Sequence, residues 1–133
     1  MPEISENVLS QYRLAKAEEC YRAAKNLLED GLLADSANRS YYAVFHAARA
    51  VLALDGVDFK KHSGVISYFQ KHYIKTGVFP PELSDTIRNA FTIRQDCDYE
   101  DFFLVSHQEV REQLQSARDF MDTITAYLQA KWP

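Results

Sequence analysis

The segment from Asp35 or Ser36 to the stop at Asp55-Gly56 reads DSANRSYYAVFHAARAVLAL, with no glycine or proline and apolar groups on almost every side. A run of this length predicts a helix, because strands seldom exceed ten residues. Tyr41, Val44, Phe45, Ala48, Val51 and Leu52 make one broad face, while Tyr42, Ala43, Ala47 and Ala50 line the others. A helix apolar all round is expected at the centre of a bundle, covered from several directions.

The flanking segments supply that cover. Ser5 is the expected N-cap of a first helix, with Ala17, Cys20, Tyr21, Ala24, Leu27 and Leu28 at helical spacing before Gly31. Val65, Ile66, Phe69, Tyr73 and Ile74 predict a third helix over Ser63–Lys75, closed by Gly77 and Pro80-Pro81. Pro81 suits the first position of a fourth helix, with Leu83, Ile87, Phe91 and Ile93 inward and fraying near Asp96. Asp96 to Ser106 reads as a connection, after which Val110, Leu114, Ala117, Met121, Ile124 and Leu128 mark a long last helix. Such a seam packs inside a bundle or, less often, between two copies.

Four glycines and four prolines are too few for the turns of a sandwich or barrel, so the fold class is all-α. At 133 residues and 47% hydrophobic, the chain has material for one core, and 1–133 reads as a single domain. Fifteen basic against 19 acidic residues argue against coating duplex nucleic acid, though a local basic patch remains open. Cys20 and Cys97 lack any CxxC or ligand spacing, and two free thiols suit a reducing cytoplasm better than a disulfide scaffold does. The N-terminus MPEISENVLSQYR lacks a signal-peptide pattern, and no stretch reaches 18 apolar residues, so a soluble cytoplasmic protein with no membrane association is expected.

Three groups of residues carry possible chemistry. Arg39 and His46 lie seven positions apart on the central helix, on one stripe with Tyr42 and Ala43. An arginine buried without a partner costs several kcal/mol, so Arg39 must meet a carboxylate, a ligand or water. One reading is a structural ion pair beside a core histidine. The other is a cleft in which Ala43, Ala47 and Ala50 leave room for a ligand or another backbone, Arg39 supplies charge and His46 exchanges a proton near neutrality. Between Phe59 and Pro81 there is no acid, only Lys60, Lys61, His62, Lys71, His72 and Lys75, interleaved with Tyr68, Phe69 and Tyr73. That is a solvated face or a weak single-strand RNA surface. Arg94 with Asp98, Tyr99 and Asp101 forms the third group, either a helix-end ion pair or part of an anion site. No HxxE, HExxH or ExxH pair sets two metal ligands on one face.

Ser36-x-x-Arg39-x-Tyr41-Tyr42-Ala43-x-Phe45-His46-Ala47-Ala48, then Lys61-His62-Ser63-Gly64-Val65-Ile66, then Arg94-x-x-x-Asp98-Tyr99, resemble the HEPN domain family. The likeness is to its small stand-alone prokaryotic members, often encoded beside a minimal nucleotidyltransferase. The resemblance implies an antiparallel up-and-down bundle of four to five helices, commonly a homodimer. It also implies RNA or nucleotide binding and, in many relatives, metal-independent endoribonuclease activity in toxin–antitoxin or defence systems, with no cofactor. There an arginine and a histidine with four to six residues between them hold the scissile phosphate and move a proton. Arg94 occupies the arginine position, but Asp98, Tyr99 and Glu100 follow where the histidine is expected. Arg39 and His46 meet the same formula in another helix. The candidate catalytic set is therefore Arg39, His46 and Arg94, with Tyr42, Lys61, His62, Asp98 and Tyr99 as candidate substrate contacts. The competing expectation is a non-catalytic module that docks a nucleotidyltransferase antitoxin or a nucleotide.

Overall fold

A computed structural model describes residues 5–101 and 103–133; Met1 to Ile4 of the polar N-terminal stretch and Phe102 of the expected connection lie outside the described residues. Five helices follow in order: α1 (Glu6–Glu29), α2 (Leu33–Leu54), α3 (His62–Phe69), α4 (Pro81–Tyr99) and α5 (His107–Lys131). Ser5 caps α1 by accepting from the Val8 N–H at 3.1 Å. Gly31, at φ 77°, takes the left-handed conformation that turns the chain sharply from α1 into α2.

The all-α bundle is built around α2, which touches α1, α3, α4 and α5. From Tyr41 to Ala53 only Tyr42 and Arg49 escape full burial. All six seam residues of α5 are buried within the chain's own core, which satisfies that seam without a second copy. Phe69 stacks on Phe79 and Phe120 at centroid distances of 5.7 and 5.6 Å, joining the third element to α5. Arg118 of α5 grips both oxygens of Glu18 in α1 at 2.9 and 2.8 Å, and this bond holds the Glu18 carboxyl below its ordinary range.

Three expectations need correction, and one feature was not foreseen. The central helix starts at Leu33, ahead of Asp35 or Ser36; Ser36 is instead a buried spacer whose Oγ donates to Ala24 O at 2.7 Å. The third helix changes after Phe69 into a π-helical turn over Gln70–Ile74. Tyr73 in that turn donates its hydroxyl to Asp55, which also receives the Tyr68 hydroxyl. α4 does not fray at Asp96 but runs to Tyr99, where the i,i+4 pair of Arg94 and Asp98 supports its last turn. Finally, α5 begins with an unforeseen capping box: Ser106 Oγ accepts from the Glu109 N–H at 3.0 Å, and Glu109 accepts from the Ser106 N–H at 3.2 Å.

Candidate anion site around Tyr42

Helical spacing puts Arg39 and His46 one turn either side of Tyr42 on α2, and Tyr42 is the hub of the site. The Arg39 guanidinium lies 5.3 Å from the Tyr42 ring centroid, and the His46 ring lies 5.9 Å from it. From α4, Arg94 Nη2 reaches Tyr42 Oη at 3.4 Å, and its guanidinium stands 5.6, 5.7 and 6.0 Å from the rings of Tyr41, Tyr42 and Tyr99. From the start of α3, His62 Nδ1 pairs with Tyr41 Oη at 2.8 Å, and its ring lies 4.2 Å from Phe45. Arg39, Tyr42, His46, His62, Arg94, Asp98 and Tyr99 are thus brought to one place by three helices.

Lys61 is the exception. It is the exposed residue preceding α3, and among the described residues no hydrogen bond or ion pair ties it to this cluster. The other lysines of the acid-free span are also exposed, while Phe59, Tyr68 and His72 stack in sequence at 5.7 and 4.2 Å. Gly64 in the Lys61-to-Ile66 motif has a steric reason: a Cβ there would stand 2.9 Å from Phe59 Cβ.

The two arginines differ in how their charge is met. Arg39 is half-buried, and its one polar contact is the Asn38 side-chain oxygen at 3.3 Å; among the described residues no carboxylate lies within ion-pair distance. Its charge faces the π cloud of Tyr42 instead. Arg94 Nε stands 3.1 Å from Asp98 Oδ2, but the alignment misses a hydrogen bond, so this buried N–H has no acceptor. With Arg94 at 17% and Asp98 at 32% side-chain exposure, this pair is not sealed from solvent. Arg94 thus forms within α4 the helix-end ion pair with Asp98 that the sequence allowed, whereas Arg39 has no ion pair among the described residues.

Two features of the expected cleft are corrected. Ala43, Ala47 and Ala50 are fully buried and leave no room for a ligand; at Ala50 the Ser10 side chain of α1 closes in, its Oγ donating to Ala50 O at 2.7 Å. His46 is only 9% exposed, and its Nδ1 is buried without a partner. Burial, then Arg49, Lys16, Arg39 and Arg13, push its pKa down to about 4, so it does not exchange a proton near neutrality. Burial, followed by Arg94 and Arg49, also lowers His62. Burial is the larger cause for both histidines; the cationic field that adds to it favours an incoming anion.

This shift predicts a pH dependence. His46 takes its proton more readily in the unfolded chain, at about pH 6.5, than in the folded one, at about 4. Above that window it contributes no pH slope. As pH falls from about 6.5 to 4, stability should fall by on the order of 3 kcal/mol. The urea midpoint should follow this decline, and His46→Leu should flatten it over the same range; an unchanged slope in that variant would refute the assignment.

Sequence reasoning passed over Tyr41, which anchors His62 across 21 positions, and Arg49, which holds Asp58 at 2.9 Å while adding its field to His46. No local spacing announces either link. Asn38, one residue from Arg39, was the nearest available signal: it reaches Asp98 at 3.5 Å.

A family model described as HEPN domain matches residues 10–127. A UPF0332 protein of Thermotoga maritima is 34% identical over 114 residues, covering 86% of each chain. A Methanocaldococcus jannaschii protein named "Putative toxin MJ0142" is 31% identical over 118 residues, covering 89% of this chain and 80% of its own.

Proposed function

This chain belongs to the HEPN domain family, and on that footing we propose that it is a toxin-class protein capturing the phosphate of RNA or a nucleotide beside Tyr42. The observation that carries this reading is the pair of guanidinium groups from two helices on one tyrosine, with Arg39 lacking a carboxylate. A guanidinium fork matches two phosphate oxygens, and Arg39, half-buried and without a carboxylate partner among the described residues, offers that fork. Tyr99 is 70% exposed next to Arg94 and offers a face for an unstacked base. The exposed Phe103 and Leu104 follow it, giving a second copy or a nucleotidyltransferase antitoxin an apolar surface beside the same site.

Cleavage is the second reading: the neutral His46 ring stands 5.9 Å from Tyr42 beside the arginines that would hold the phosphate, but its Nδ1 is closed to solvent, so a 2′-hydroxyl would have to displace that cover to reach it. With its pKa near 4 it would be a weak base at neutrality, so binding is the better-supported half of the reading.

Purified protein with end-labelled single-stranded RNA or transfer RNA in EDTA tests both halves. Saturable binding that weakens as salt rises is expected. Products ending in a 2′,3′-cyclic phosphate would add cleavage. Absence of binding to RNA and to ATP at low salt would overturn the proposal.

A further inference from the structure

The rings of the acid-free span sort into two sets. Phe69 and Tyr73 are buried in the core, whereas Phe59 and His72 are exposed and Tyr68 is half-buried between them. These last three stack in order, the Tyr68 ring 5.7 Å from Phe59 and 4.2 Å from His72. The core does not account for this ladder, because Phe59 leaves 40% of its surface in water. Its rings are nevertheless held. Phe59 lies against Gly64, where an added Cβ would stand 2.9 Å from Phe59 Cβ, and the Tyr68 hydroxyl donates to Asp55 at 3.1 Å. Rings fixed in advance lose little side-chain freedom when a planar group stacks on them.

Cations accompany the rings. Lys60 follows Phe59 in the chain, and Lys71 and Lys75 flank His72, all three exposed. No acidic residue occurs between Phe59 and Pro81. The acids that precede the ladder are already engaged: Asp58 meets Arg13 at 3.1 Å and Arg49 at 2.9 Å, and Asp55 accepts the hydroxyls of Tyr68 and Tyr73. Ring faces set among separate cations match a single-stranded nucleic acid, whose bases stack while its phosphates meet ammonium groups. An acidic peptide would use the lysines and leave the ring faces without a planar partner.

The ladder also adjoins the phosphate site. Arg49 lies seven positions past Tyr42 on the same stripe of α2, and the Asp58 that it holds directly precedes Phe59.

We propose that the Phe59, Tyr68 and His72 ladder binds single-stranded RNA, stacking its bases while Lys60, Lys71 and Lys75 meet its phosphates, and carries the strand onward from the Tyr42 site. The proposal rests on the reading of this chain as an RNA binder and gives it a second contact surface.

Fluorescence anisotropy with a labelled oligouridine of about ten nucleotides, beside calorimetric titration of ATP, tests this. Tyr68→Ala with His72→Ala should weaken oligouridine binding about tenfold or more, the loss of stacked bases, and leave ATP binding unchanged. Arg39→Ala with Arg94→Ala should weaken both ligands, so failure of the ladder and failure of the Tyr42 site appear in separate arms. Tyr68→Phe, which loses the Asp55 bond and keeps the ring, should retain the affinity. Lys71→Gln with Lys75→Gln should lower the salt slope by about 1.4, at about 0.7 for each of two phosphates, whereas Arg22→Gln with Lys25→Gln, at exposed positions of α1, should leave it unchanged. Oligouridine affinity unchanged in Tyr68→Ala with His72→Ala, a loss as large in Tyr68→Phe, or equal slope changes in the two cation pairs would overturn the proposal, with circular dichroism establishing equal folding. Tighter binding of a polyglutamate peptide than of oligouridine would also overturn it, assigning the ladder to an acidic protein partner.

Discussion

Arg39→Ala combined with Arg94→Ala should weaken RNA binding on the order of 100-fold, since each charge-assisted hydrogen bond to phosphate contributes about 1.5–3 kcal/mol and the pair acts on one ligand. The salt dependence should change as well. Each phosphate neutralised on a single strand contributes about 0.7 to the slope of log K against log salt, and both arginines act on one phosphate, so the slope should fall by about 0.7 in the double variant. Arg39→Lys keeps the charge but loses the planar fork, so it should retain the slope and lose affinity. Lys61→Ala, which removes an exposed cation outside the cluster, is the comparison for general charge. Fluorescence anisotropy over a salt series reads all four, with circular dichroism to establish equal folding. Affinity and slope unchanged in the double variant would remove the phosphate site from this part of the molecule.

Phe120→Ala should cost about 3–5 kcal/mol, a large fraction of the roughly 5–15 kcal/mol that holds a domain folded. Phe120 is 1% exposed and packs against Phe69, which in turn stacks on Phe79, so its removal opens a void that aromatic rings on two other elements cannot easily fill. Leu104→Ala makes the contrast: an apolar side chain that is 89% exposed should change stability by less than about 0.5 kcal/mol. Urea unfolding of both variants would measure the difference. A loss below about 1 kcal/mol for Phe120→Ala would mean the aromatic core relaxes far more than its packing suggests.

The errors in reading helix limits share one cause. Leu33 and the last turn of α4 look unremarkable in sequence because what holds them is remote or side-chain specific: Ser36 Oγ on the Ala24 carbonyl, and Asp98 beside Arg94. The π-helical turn at Gln70–Ile74 likewise coincides with the Tyr73 hydroxyl meeting Asp55, 18 positions away. Ser106 with Glu109 was a missed feature written in local spacing, as a serine followed three residues later by a glutamate ahead of an apolar run, and the i,i+4 spacing of Arg94 and Asp98 was another.

Periodicity alone was enough to make α2 the centre of an all-α bundle, to place the α5 seam at an interface, and to set Arg39, Tyr42 and His46 on one stripe, because these follow from 3.6 residues per turn and the need to bury apolar area. Which side chain α4 would deliver to Tyr42, that Ala50 would be filled by α1, and that His46 would stay neutral were decided only in three dimensions. Those outcomes depend on distances between residues far apart in the chain and on how completely water is excluded around a charge, and neither quantity is encoded in local spacing.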